Sequence, residues 1–160
     1  MGADLPSREE LLGNQLAIAD LAVRAAAATP VKGWNAGQVC AHVLMNNGLF
    51  MEAARCVLSG GPHVYDNETA VDDVSTAALA AGAGSTGILA EWLRQSATAY
   101  VDLLTTLPDN VLDATVTTTI RSDGDFVVDA EPRRLGDLMV GQLTFHSGMH
   151  LQQVRELLDA

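Results

Sequence analysis

His146 and His150 stand four residues apart in a stretch of helical periodicity, so both imidazoles project from one helix face, one turn above the other. That spacing lets two ring nitrogens reach a single metal ion. His42 lies between Val39 and Asn46 on the apolar stripe of another helical stretch. Helix bundles build metal sites from ligands that project inward from facing helices, so His42 joining the pair makes a three-histidine centre. Three protein ligands leave coordination positions for water or substrate, as in catalytic sites, whereas structural zinc sites close all four with Cys and His. The fourth histidine, His63, sits beside Pro62 in a loop and is expected in solvent.

A plainer reading stands beside this one: an i,i+4 histidine pair arises by chance in many helices, and one histidine on an apolar stripe is commonly a hydrogen-bonded core residue. The amides on the same faces weigh toward a site. Asn46 and Asn47 fall on the His42 stretch, Gln142 and Gln153 on the His146/His150 stretch, and each buried polar group left unpaired costs about 1–3 kcal/mol. Asn46 and Gln142 are therefore the candidates to orient the ligands or touch substrate. Cys40 and Cys56 lie on one predicted helix, sixteen residues apart. At 1.5 Å per residue that is about 24 Å, far beyond disulfide reach. They read as ordinary buried thiols, and without a CxxC pair they add no metal ligands.

Gly82-Ala83-Gly84-Ser85-Thr86-Gly87 matches GxGxxG, and Asp102 follows at the distance of a dinucleotide fingerprint. That fingerprint needs a strand before the glycines and the acid on a parallel strand. Here Ser75–Ala81 favours helix and Asp102 falls inside one, so nucleotide binding is not expected. Asn67-Glu68-Thr69 matches a glycosylation acceptor, which carries no meaning for a cytoplasmic chain.

The elements that must carry these residues are legible from caps and periods. Ser7 with Glu10 is a capping box opening helix one, about Ser7 to Ala28, and Thr29-Pro30 ends it. Asn35 with Gln38 is a second box opening helix two, about Asn35–Leu58, which stops at Ser59-Gly60-Gly61-Pro62. His63 to Gly87 reads as a long irregular crossover with a short helix near Asp72–Ala81. Helix three is about Ser85–Leu107. The period then changes to two: Thr115–Arg121 and Phe126–Val128, joined by Asp123-Gly124, form a single β-hairpin. Helical spacing resumes from Pro132 or Leu135 through Met139, Gln142, His146, His150, Val154 and Leu157. The expected fold is all-α, a four-helix bundle with a small β-hairpin before the last helix.

The chain has 160 residues, the size of one domain, and residues 1–160 are read as one. Nine basic against twenty acidic residues give a net charge of −11, a field that repels nucleic acid and anionic lipid. With 48% hydrophobic and only 4% aromatic residues, an Ala-rich helical core is expected. The uncharged stretches Val74–Ala90 and Leu138–Val154 are too short to span a membrane. Met1–Arg8 lacks a basic segment followed by an apolar run, so the expected compartment is the cytoplasm.

Trp34-Asn35-Ala36-Gly37-Gln38-Val39-Cys40-Ala41-His42-Val43, together with His146-Ser147-Gly148-Met149-His150-Leu151-Gln152-Gln153-Val154, resembles the DinB-like superfamily. More narrowly, the chain is similar to the N-terminal domain of mycothiol-dependent maleylpyruvate isomerases, including the Trp before helix two and a Tyr65-Asp66-Asn67 loop. The resemblance implies an up-up-down-down bundle, a divalent metal on His42, His146 and His150, and a homodimer. Zinc is the expected ion, with nickel, iron or manganese as alternatives. It also implies a metal-dependent transferase or isomerase that uses a low-molecular-weight thiol, mycothiol or bacillithiol, on a small electrophile, with Asn46 and Gln142 beside the ion. A non-catalytic metal-binding or small-molecule-binding dimerising bundle is the alternative. Two departures point away from maleylpyruvate isomerisation itself: the first helix-four ligand is typically a carboxylate in that branch, whereas here it is His146, and the isomerase's C-terminal domain has no counterpart in these residues.

Overall fold

A computed structural model describes residues 5–30, 32–61, 64–122 and 125–159. Helix α1 (Arg8–Arg24) opens on the Ser7/Glu10 capping box, and α2 (Ala36–Leu58) opens on the Asn35/Gln38 box, with both reciprocal bonds made in each. Helix α1 ends at Arg24 and turns through Ala25, four residues short of the expected end. Strand β1 (Val64–Asp66) and helices α3 (Glu68–Val71) and α4 (Asp73–Ala83) follow, then α5 (Thr86–Thr106), capped by Ser85, and the short α6 (Asp109–Leu112). Strands β2 (Thr115–Ser122) and β3 (Asp125–Arg134) lead into α7 (Leu135–Gly141), a π-helical segment (Gln142–His146) and α8 (Ser147–Asp159).

Three expectations are corrected. The fold is mostly helical but not all-α, because the hairpin is two strands of a three-stranded sheet: β1 pairs parallel with β2, and β2 antiparallel with β3. The crossover is ordered for a related reason, since Asn67 extends the parallel ladder with its side chain, donating to Arg121 O at 3.0 Å and accepting from Arg121 N at 2.7 Å. Of the two expected starts of the last helix Leu135 is the observed one, Pro132 lying in β3, and the correction there is the π turn that interrupts the helix. His63 and the Asp123-Gly124 turn lie outside the described residues, although Ser122 and Asp125 pair on either side of that turn.

The chain directions also differ from the up-up-down-down order. Arg8 meets Asp102 and Asp20 meets Arg94, so α1 and α5 are antiparallel. Asn47 bonds Gln142 while His42 meets His146 and His150, so α2 opposes the last helical segment. Leu11 packs in one apolar cluster with Phe50, and Ile18 in another with Val39 and Val43, so α1 opposes α2. The order is up-down-down-up. A short connection makes α1 and α2 antiparallel neighbours, and only the long crossover, residues 59–85, can return the chain to run α5 parallel to α2.

Those two apolar clusters divide the core. One gathers Leu11, Phe50, Tyr100 and Leu143; the other gathers Ile18, Val43, Leu93 and Leu151. Between them each long helical segment contributes polar residues instead: Gln15, Asn46 and Asn47, Ser96, and Gln142 with Ser147. A polar waist thus crosses the interior. No helix among the described residues is long and apolar enough to cross a membrane.

Candidate metal centre

The histidine cluster sits at the edge of this waist. The Nε2 atoms of His42 and His146 are 3.0 Å apart, and those of His146 and His150 are 3.2 Å apart. Every one of the three residues offers a ligand atom within 4.8 Å of the others. His42 is buried on α2, while His146 and His150 are half-buried.

The proton positions follow from the other ring nitrogens. His42 Nδ1–H donates to the Ala70 carbonyl at 2.7 Å, and His150 Nδ1–H donates to Gln153 Oε1 at 2.9 Å. Both Nε2 atoms are then lone pairs aimed at His146. His146 can turn an Nε2–H toward one of them but not both, and its Nδ1 is the one buried side-chain nitrogen or oxygen among the described residues without a partner. An Nε2–H on His146 serves one of the two and the Asn46 amide reaches His42 Nε2 at 3.1 Å, so a cation at the centre would take the place of these partners. Burial, with His150 alongside and the Ala70 bond opposing, lowers the His42 imidazole to about 3. Burial, with His150 and His42 alongside, lowers His146 to about 2, and burial lowers His150 too. All three rings are therefore neutral near pH 7, the form that ligates metal. This donor set fits a divalent ion that accepts imidazole.

Around the cluster, Asn46 is fixed from two sides. Its Oδ1 accepts from Tyr65 Oη at 2.7 Å, which turns its amide N–H toward His42 Nε2 at 3.1 Å. Burial raises the Tyr65 phenol, which stays a donor, and its ring stacks on Phe50 with centroids 3.9 Å apart. Trp34 covers the outer side, its ring centroid 4.7 Å from His42 and 6.3 Å from His150, and its Nε1–H donates to Asp73 on α4 at 2.6 Å.

Gln142 lies elsewhere. Its amide donates to Asn47 Oδ1 at 3.2 Å, within a cluster where Asn47 also bonds Gln15 and Ser96, and among the described residues it makes no bond to an imidazole. Of the expected site residues, His42, His146, His150 and Asn46 are brought together and Gln142 is set one layer away. Sequence reading missed Asp73, because no local pattern says that α4 reaches Trp34, and it named Tyr65 only through the family resemblance, without a role beside Asn46. Trp34 itself enters only through the family resemblance. Cys40 is buried and its thiol pushed up to about 12, while Cys56 is half-buried, a correction to the pair of buried thiols. The GxGxxG stretch joins the end of α4 to the start of α5, with Gly84 at φ 80° as the C-cap, so a helix precedes the glycines and Asp102 lies within α5.

The family model of the mycothiol maleylpyruvate isomerase N-terminal domain matches residues 14–140. That stretch takes in Trp34, His42, Asn46 and Tyr65 and ends before His146 and His150. No curated protein and no solved structure gives a significant match. A match over most of the sequence, on a fold that brings Trp34, His42 and Asn46 to one cluster, means that the chain belongs to the mycothiol maleylpyruvate isomerase N-terminal domain family.

Proposed function

We propose that residues 1–160 form one DinB-like bundle domain that holds a divalent metal, zinc before nickel, iron or manganese, on the Nε2 atoms of His42, His146 and His150. The convergence of those three nitrogens at 3.0 and 3.2 Å carries the reading. On it the chain is a cytoplasmic, metal-dependent transferase or isomerase that brings a low-molecular-weight thiol, mycothiol or bacillithiol, to a small electrophile. Family membership supports the thiol as co-substrate.

A divalent ion held by neutral ligands keeps its full charge and acidifies a water or thiol placed against it. The chain supplies the rest. Ala70 and Gln153 hold two imidazoles in the tautomer that presents Nε2. Asn46, turned by Tyr65, offers an amide N–H beside His42 for an anionic group on the thiol or the electrophile. Trp34 walls one side and limits water there.

Elemental analysis of protein purified without added metal, followed by thiol-consumption assays against epoxides, haloalkanes and unsaturated acids, tests the reading. Turnover that needs the metal and disappears in His146→Ala, with the helical content unchanged, is expected. A fully loaded site with no turnover across the panel favours the second reading, a non-catalytic small-molecule-binding homodimer. Phe145 and Met149, each one residue before a histidine of the pair and 73% and 49% exposed, support that second reading because they leave apolar surface on the helical segment that carries it.

A further inference from the structure

The π-helical segment Gln142–His146 ends on a candidate ligand, and a π turn is an uncommon choice with a physical cost. It adds one residue to the helix and so turns everything beyond it by about 100° relative to an unbroken α-helix. The burial pattern records the turn. Leu135, Gly136 and Met139 are buried before it and Gln142 and Leu143 at its start, and beyond it the buried positions are Ser147, Leu151 and Val154, whereas His146 and His150 are half-buried. An unbroken helix continuing the earlier stripe would carry His146 and His150 toward the middle of the core. With the π turn they stand at its edge, against His42 and Trp34.

Within the turn the Ser147 backbone N–H bonds the Gln142 and Thr144 carbonyls, and side chains from α1 and α8 add further bonds. Asn14 Nδ2 donates to the carbonyls of Thr144 at 2.8 Å and Leu143 at 3.2 Å. Ser147 Oγ donates to the Gln142 carbonyl at 2.6 Å and in turn accepts from Gln15 Nε2 at 3.1 Å. Gln15 and Ser147 are fully buried, and Gln15 is locked to Asn47 by bonds of 3.0 and 2.8 Å in both directions. A Cβ on Gly148 would lie 3.6 Å from Asn14 Nδ2, so α1 meets α8 closely at this point.

We infer that Asn14 and Gln15 of α1 are positioning residues for the metal centre: they hold the π turn and through it aim His146 and His150 at His42. This rests on the metal reading above. Among the described residues neither side chain bonds a histidine, and both act through the backbone of the segment that bears His146.

Asn14→Asp keeps the shape at a half-buried position but removes both donors, and Gln15→Met removes the buried bonds with little change in volume. Zinc affinity by competition with a chromophoric chelator, and the visible spectrum of the cobalt-substituted chain, are the readouts. Both variants are expected to lose about 10–100-fold in zinc affinity, the range typical when the partners that orient metal ligands are removed. Their cobalt spectra should shift in position and intensity. If Gln15→Met does not fold, Asn14→Asp carries the test. Wild-type zinc affinity and an unchanged cobalt spectrum in a folded variant would overturn the inference, even with lowered thermal stability. If the unsubstituted chain takes up no zinc, the metal reading fails and this one with it, and that outcome differs from failure of the clamp alone.

Discussion

Two polar clusters lie side by side inside this protein and solve the problem of burial in opposite ways. In the amide cluster Gln15, Asn47, Gln142, Ser96 and Ser147 bond one another, and Asn47 uses both its donor and its acceptor atoms. In the histidine cluster three ring nitrogens converge, and among the described residues His146 Nδ1 has no partner. A closed network stabilises one packing of the helices, because each group removed from water regains its bonds inside. An open one leaves a buried atom unmatched and gathers ring nitrogens that suit an outside cation. Burial of polar groups alone therefore does not mark a site; unmatched donors and acceptors do.

Substitutions should separate the two clusters by the size of the loss. Asn47→Leu removes the Asn47 bonds of Gln142, Gln15 and the half-buried Ser96, leaving Gln15 its bond to Ser147, and should destabilise by about 2 kcal/mol or more, at about 1–3 kcal/mol per orphaned buried group, measured by urea unfolding. His146→Leu in metal-free protein should cost much less, under about 1 kcal/mol, since the bond it removes is offset by the loss of an orphaned buried nitrogen. A large loss in His146→Leu would break the comparison.

Zinc should act on one cluster only. At a free concentration 100-fold above Kd it should add about 2.7 kcal/mol to unfolding free energy, and a chelator should remove the gain. The metal-free protein should also respond to acid. His42 and His146 bind protons far less readily when folded, at about 3 and about 2, than at the ordinary value of 6.5. Their contribution is then intact above pH 6.5 and shrinks as pH falls from 6.5 toward 3, because the unfolded chain takes up the protons first. Thermal melts from pH 7.5 to 4 should show a falling midpoint, and substituting both residues with Asn should flatten the slope across that window. The smallest effect is expected for Tyr65→Phe, about 1 kcal/mol for one buried hydrogen bond, together with a weaker hold on the Asn46 amide.

The contrast between the clusters tracks what can be read from sequence. Ser7/Glu10 and Asn35/Gln38 announce two helix starts because a cap is a local device, complete within four residues. His146 and His150 were legible as a pair for the same reason, and His42 joined them because its stripe faces inward. The parallel pairing of β1 with β2 joins Tyr65 to Thr118, far apart in the chain, and no short motif encodes it. The π turn was hidden as well, since Met139, Gln142, His146 and His150 also fit an unbroken helix; only Asn14 and Gln15, arriving from α1, favour the extra residue. That Gln142 belongs to the closed cluster rather than the open one follows from the same turn.

The central claim is that the open cluster is closed by a metal ion, and a zinc titration of the chelator-treated protein followed by calorimetry tests it most directly. One ion per chain is expected, with the site lost in His42→Ala, in His146→Ala and in His150→Ala but retained in His63→Ala. Absence of saturable binding, or binding that survives the loss of His146, would contradict the account.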